Sequence, residues 1–406
     1  MLSKKITRYS AAALAVCVVL LNGCASAPSK MGTMKTVTLE SGKELGHWKG
    51  SWQSLSLAAA ASELDATYKN AAKDLAYYTE AGLKAAIMSM YASPIVKAQF
   101  DGSNTVLFTV ADADGNEKEI ACEYRYLGTK SVEGYAGYSW YTFEAVKPVR
   151  GLTQAQYFIA FLPEKHSEEG LLHWHGRFGA RSVDALTNGD PMWWPTFVDA
   201  AISKKDLVAE FEKTIAAVVQ AILPAEPFIT YKGKWLNSSL IYDDMRPAIQ
   251  NAYDMLIKEF AGKNPKGGDF TKAEIIALAK KTYGTAEDFT HLEFVAGEGK
   301  NELIVWKDNT EVSRVAYKQD APNEARPTLR SFSAVDTKAA KKFAYFCATT
   351  PGGKPAHAHI WYGASPADVG MLKVKPTGIP ADTSEDDIAM RVTNSCRKLL
   401  KEVATK

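Results

Sequence analysis

The chain has 406 residues, 46% of them apolar and 11% aromatic, with 48 Lys and Arg against 46 Asp and Glu. That charge balance leaves no electrostatic footprint for nucleic acid, and the length allows more than one ordinary core. Cysteine usage is sparse, with five in all.

Met1 to Ser10 carries Lys4, Lys5 and Arg8 with no acid, and Ala11 to Leu21 is an apolar run of signal-peptide length, short for a membrane-spanning helix. Leu21-Asn22-Gly23-Cys24 follows directly and resembles a bacterial lipobox. The expectation is a signal peptide over 1–23 and a lipid on Cys24, which tethers an otherwise soluble mature chain to a membrane. The competing reading is an ordinary signal peptide with an incidental cysteine. Ala25 is not the aspartate that would favour inner-membrane retention, so the outer membrane is expected where the organism has one. Residues 24–45 are polar, rich in small residues and without hydrophobic period, as a flexible tether would be. Beyond the anchor only Cys122, Cys347 and Cys396 remain, so at most one intramolecular pair can form.

From Gly46 onward the chain repeats itself. Trp48-Lys49-Gly50-Ser51-Trp52 returns as Tyr231-Lys232-Gly233-Lys234-Trp235 after 183 positions, His173-Trp174-His175 as His357-Ala358-His359 after 184, and Pro195-Thr196 as Pro376-Thr377 after 181. Three landmarks in order at a nearly fixed offset indicate a tandem duplication of one domain-sized unit. The expected units are 46–223 and 228–406, joined through residues 224–227 with prolines at Pro224 and Pro227.

Each copy has the same coarse order. A helical stretch rich in Ala, Leu, Lys and Glu follows the Trp motif, Ala58 to Ala86 in the first copy and Asp243 to Tyr283 in the second. Alternating strands come next: Val106 to Val110, Glu119 to Leu127, Ser139 to Ala145 and Ala155 to Leu162, then Glu302 to Trp306, Glu311 to Tyr317, Thr328 to Ser333 and Lys342 to Cys347. Amphipathic helices entered through serine close the copies, Ser203 to Ile222 and Ser384 to Val403. Consecutive antiparallel strands with short turns favour a meander closed into a barrel, because closure removes exposed edges. The fold class is mainly β with flanking helices, α+β, in two tandem barrels.

The chemistry concentrates in FIAFLPEKHSEEGLLHWHGRF, Phe158 to Phe178, which holds His166, His173 and His175. On a strand His173 and His175 stand side by side while Trp174 faces the other way. His166 supplies a third imidazole if the Ser-Glu-Glu-Gly turn brings the chain back. Glu168 and Glu169 in that turn either raise local metal affinity or only solvate it. Three imidazoles suit zinc and its neighbours and leave a fourth coordination position open. Two surface histidines on a strand would give the same pattern with no metal.

The set WKGSWQS, ACEYRY, YTFEAVKP, YFIAFLPEKH ending in HWH, and WWPTF before SKKDLV resembles the ZinT (YodA-like) periplasmic zinc-recruitment family over Gly46 to Ile222, and more faintly over Tyr231 to Val403. The resemblance implies lipocalin-like, or calycin, barrels with helices packed at one side. It also implies zinc held near the barrel mouth by His166, His173 and His175, and delivery to the solute-binding component of a zinc importer. The turn after His166 is shorter here than in the family, and the His-rich N-terminal segment of well-known members is missing. The family's disulfide partner for Cys122 falls on Ala145, which leaves Cys122 a buried thiol. In the second copy His357 and His359 keep the pair, but the earlier ligand position falls on Ala348, so a degenerate, weaker site that binds through two histidines or not at all is the leading expectation. Cys347 beside it could ligate as thiolate or pair with Cys396, and His291 is a further candidate.

The remaining residues take plain structural roles, with Trp193 and Trp194 packing at the barrel rim and His47 exposed. No His-Glu-x-x-His, nucleotide-binding glycine loop or Gly-x-Ser-x-Gly occurs, so catalysis has little support. The leading expectation is a tethered extracytoplasmic protein that captures Zn2+, buffers it and passes it on, with ready exchange at an unobstructed mouth. The alternatives are a hydrolase acting through zinc-bound water and a calycin-like binder of an apolar ligand with incidental histidines.

Overall fold

The structure, a computed structural model, describes residues 37, 39–112, 115–132, 135–165, 170–190, 192–221, 223–284 and 289–405. The signal segment and Cys24 lie outside the described residues, as do His166, Glu168 and Glu169. Two compact units divide the chain, Met1–Asp74 with Lys84–Leu223 and Leu75–Leu83 with Pro224–Lys406.

The first unit is a closed antiparallel barrel of β1 Gly50–Ser54, β2 Lys97–Phe100, β3 Thr105–Ala111, β4 Glu117–Val132, β5 Tyr135–Ala145, β6 Tyr157–Ala160, β7 His173–Gly179 and β8 Thr196–Asp199. The second repeats the plan with β9 Gly233–Asn237, β10 His291–Gly297, β11 Lys300–Lys307, β12 Thr310–Asp320, β13 Arg330–Ala334, β14 Tyr345–Ala348, β15 Ala358–Gly363 and β16 Thr377–Pro380. Neighbours in sequence are neighbours in space, and β8 returns to β1 as β16 returns to β9. The expected pair of lipocalin-like meander barrels with flanking helices is therefore the observed architecture.

The duplicated aromatic-Lys-Gly-x-Trp motif has a physical explanation. Gly50 and Gly233 adopt φ of +137° and +120°, which L side chains rarely take, and the bend lets the following tryptophan reach back. Trp52 Nε1 donates to the Trp48 carbonyl at 2.7 Å, and Trp235 Nε1 to the Tyr231 carbonyl at 2.6 Å. Buried tyrosines brace both barrels in the same way, Tyr124 Oη donating to the Ala155 carbonyl and Tyr317 Oη to that of Phe343.

Aromatic rings fill the first interior. Phe158 stacks on Phe143 at 4.5 Å between ring centres, Tyr124 meets Phe158 edge-on at 4.7 Å, and Trp174 stacks on Phe197 at 4.4 Å. The second core is built likewise, with Phe332 stacked on Phe346 at 4.7 Å.

The helical stretches are more broken than their composition suggests. The first copy has Ser56–Ala59, Asp65–Lys73 and Glu80–Tyr91 as separate helices, starting before and ending after the expected stretch; the second has Ser238–Tyr242, which precedes the expected stretch, then Pro247–Glu259 and Lys272–Tyr283. Pro247 can only begin a helix, and Thr271 and Glu274 form a capping box that starts another. In the second copy the strand expected from Lys342 begins later, at Tyr345, because Thr337–Ala340 and Lys341–Phe343 are helical turns. The closing helices span Lys204–Ala221 and Glu385–Ala404 and bury an apolar stripe, Leu207, Phe211, Ile215 and Val218 in the first and Ile388, Val392, Cys396 and Leu399 in the second.

Candidate metal centre

β7 presents His173 and His175 on one face, with Trp174 in the barrel core on the other. The two imidazoles therefore point away from the interior, towards Phe161 and Trp194, which meet the His175 ring at 6.0 and 5.7 Å. Their own ring centres are 5.1 Å apart. His173 is 0% exposed and His175 1%. The expectation of unobstructed access at the mouth is thus corrected: the pair lies at the end of β7 beyond the last residue of β6, but under cover.

The second ring nitrogens fix the tautomers. His173 Nδ1 is 3.1 Å from the Leu171 carbonyl, which can only accept, so the proton sits on Nδ1. Thr196 Oγ1 donates its single hydrogen to the Trp194 carbonyl at 2.9 Å, so towards His175 Nδ1, 3.0 Å away, it accepts. In the neutral ring the lone pair then sits on Nε2, the form in which imidazole ligates a metal, and a hydrogen-bonded partner behind the ring orients it and raises its basicity. Thr196→Val is expected to keep the fold and weaken zinc binding by about 10–100-fold, measured by competition with a chelating dye.

A carboxyl group stands across the ladder from His173. Glu164 and His173 exchange backbone hydrogen bonds of 2.9 and 3.1 Å across the ladder, so their side chains share a face. Burial pushes the Glu164 carboxyl up to about 7. A carboxylate desolvated beside two neutral imidazoles is a suitable oxygen ligand for zinc. It stands two residues before His166, the same-face spacing of an extended segment, which is the signal that could have found it.

Among the described residues no set of three or more His, Cys, Asp or Glu side chains forms a complete metal cluster. The donors that fit a divalent ion are His173 and His175, with Glu164 on the same face.

The second barrel reproduces the pair and its supports. His357 Nδ1 is 3.1 Å from the Pro355 carbonyl, Thr377 Oγ1 donates to the Lys375 carbonyl at 2.9 Å, and His359 Nδ1 lies 2.9 Å from that hydroxyl. The ring centres are 5.4 Å apart. Burial first, then the charge of Arg391, lowers the His357 pKa; burial, His357 and Arg391 together bring His359 down to about 4. The other candidates stand apart. Cys347 pairs with Trp361 in register, and its Sγ lies 3.2 Å from Ser331 Oγ. Burial raises its thiol pKa, the direction opposite to a ready thiolate ligand. His291 lies on β10, with β9 and β16 between it and β15, and stacks on Trp306 at 5.6 Å. Cys122, Cys347 and Cys396 are all buried free thiols, so Cys347 and Cys396 do not form the disulfide considered from sequence.

Trp194 of WWPTF is part of the wall beside the pair. Trp194 stacks on Trp140 at 5.7 Å, and the guanidinium of Arg177 lies 5.1 to 5.6 Å from the ring centres of Trp140, Trp193 and Trp194. Arg177 also donates to the carbonyls of Trp193, Leu186 and Asp190, which ties the segment before β8 to the strand that bears the histidines.

Residues 30–214 match the family described as ZinT (YodA) periplasmic lipocalin-like zinc-recruitment. No curated protein matches the chain. Among solved structures, the Zn(II)-bound ZinT-like domain of Streptococcus pneumoniae AdcA is similar at 24% identity over 41% of this chain and 89% of that one, with a TM-score of 0.31. Zn(II)-bound AdcA from Streptococcus pneumoniae is similar at 21% identity over 46% of this chain, with a TM-score of 0.33, and the match spans 40% of AdcA's own length. Residues 30–214, which include the first barrel, are thus similar to the ZinT family, and the second barrel repeats the strand plan of the first.

Proposed function

We propose that this is an extracytoplasmic zinc-binding protein whose first barrel captures and buffers Zn2+ through His173 and His175, with Glu164 and His166 as further donors. The observation that carries the reading is the pair of buried imidazoles side by side on β7 whose Nδ1 atoms both face fixed acceptors, so that in the neutral ring the metal-ligating lone pair is on Nε2. The zinc-recruitment description of the matched family supports the same ion. Three neutral imidazoles and one carboxylate would give a four-coordinate site of the usual zinc donors.

In this reading Cys24 carries the lipid that keeps the protein at the membrane, and the captured ion passes to the solute-binding component of an importer. Among the described residues no helix is long and apolar enough to cross a membrane. The alternatives gain no support. Stacked rings fill the first barrel where an apolar ligand would sit, and the histidine pair itself is buried.

X-ray absorption at the zinc K edge tests the assignment on the full chain after metal loading and dialysis. The expected spectrum shows a nitrogen and oxygen shell with imidazole outer scattering and no sulfur. A sulfur shell, or a chain that retains no zinc, would overturn it.

A further inference from the structure

The two barrels keep the same imidazole pair but give it different company. Across the ladder from His173 stands Glu164; across from His357 stands Gly352, with reciprocal backbone bonds of 3.1 and 3.0 Å. On the closing helices the same distance past the Pro-Thr landmark falls on Glu210 in the first copy and on Arg391 in the second. Glu210 turns to Lys213, 3.0 Å away. Arg391 instead places Nη1 3.2 Å from His357 Nε2. A guanidinium only donates, and His357 Nδ1 already faces the Pro355 carbonyl, so the bond uses the lone pair that a metal would need.

Little else in the arginine's surroundings competes with the imidazole for it. Its guanidinium carbon lies 5.9 Å from the centre of the Tyr283 ring, and among the described residues no carboxylate forms an ion pair with it. Its Nε is buried without a hydrogen-bond partner. A cation so placed has the neutral imidazole as its one side-chain hydrogen-bond acceptor among the described residues.

We propose that Arg391 is a built-in cation that occupies the ligand position of the second barrel and closes that barrel to divalent metals, so that the protein carries one metal site and not two. The inference rests on the zinc reading of the first barrel. One lone pair cannot bond zinc at about 2.0–2.1 Å and accept an N–H at the same time. A divalent ion would also meet the positive charge of the guanidinium at close range, with no acid across the ladder to offset it. Because the Pro355 and Thr377 supports of the pair are intact, removal of the arginine alone is enough to reopen the site.

The experiment is a zinc titration of the metal-free full-length chain by calorimetry. Comparison of the natural sequence with His173→Ala/His175→Ala tests the first barrel by itself, through the loss of its equivalent. Arg391→Ala and, separately, Arg391→Met are then added to that double variant. Each is expected to gain one zinc equivalent, at an affinity at least about 100-fold above the parent. The gain should vanish when His357 and His359 are also made alanine. In long-range proton–nitrogen spectra zinc should leave the His357 Nε2 signal unmoved while Arg391 is present and shift it once Arg391 is gone. Zinc bound through His357 and His359 with Arg391 in place would overturn the proposal. So would arginine variants that keep the native near-ultraviolet circular dichroism and gain nothing.

Discussion

Substituting His173 and His175 together by alanine should abolish tight zinc binding, with affinity falling at least about 1,000-fold, since loss of outer partners alone costs about 10–100-fold. The two rings are the buried donors whose geometry the fold fixes most firmly: one behind a backbone carbonyl, the other behind a threonine that is itself anchored to the Trp194 carbonyl. Competition with a chromophoric chelator measures the loss. The matched control, His357→Ala/His359→Ala, should leave zinc affinity and stoichiometry unchanged. Unaltered stoichiometry in the first double variant would remove the basis of the functional reading.

Replacing Trp174 by alanine should cost about 3–5 kcal/mol of stability, the range for truncating a large buried aromatic. Trp174 is fully buried, stacks on Phe197, and meets Trp52 and Phe100 edge-on at 6.3 and 5.8 Å. Its ring also occupies the space that a side chain at position 176 would need, which is why glycine stands there. Trp174 lies between the two histidines, so its anchoring in the core is what holds them on the outer face. The same variant should therefore bind zinc more weakly without having lost a ligand. Urea unfolding of the metal-free protein checks the first effect. A destabilisation below about 1 kcal/mol, the ordinary scale of point substitutions, would contradict the packing argument.

Much of the architecture can be read from the chain because it rests on local patterns. Period-two alternation marks the long strands, and the duplicated Trp motif betrays two copies, since Gly50 and Gly233 both have to turn at positive φ for the tryptophans to reach back. The short strands β2, β8 and β16 escape the same reading. They are as short as β6 and β14, which fall largely within longer expected stretches, and the seven-residue β10 escapes with them; their pairing depends on barrel closure.

The site divides in the same way. The His-x-His pair is a local signal, whereas its support is not: Thr196 lies 21 residues from His175 and Arg391 lies 34 from His357, distances that only the fold closes. The facing of the pair is legible in the apolar Trp174 between the histidines, whereas its burial is not. Alternation sends the tryptophan to the core and the imidazoles to the outer face. The charge reversal between Glu210 and Arg391 was equally present in the aligned copies, but it acquires meaning only once Nη1 is seen beside His357 Nε2.

The most direct test of the account is anomalous diffraction from zinc-loaded crystals of the full chain, collected just above and just below the zinc edge. The account predicts one strong peak per chain, bonded to Nε2 of His173 and of His175 on the face that carries Glu164, and no peak at His357 and His359. A peak bonded to the second pair, or none at the first, would contradict it.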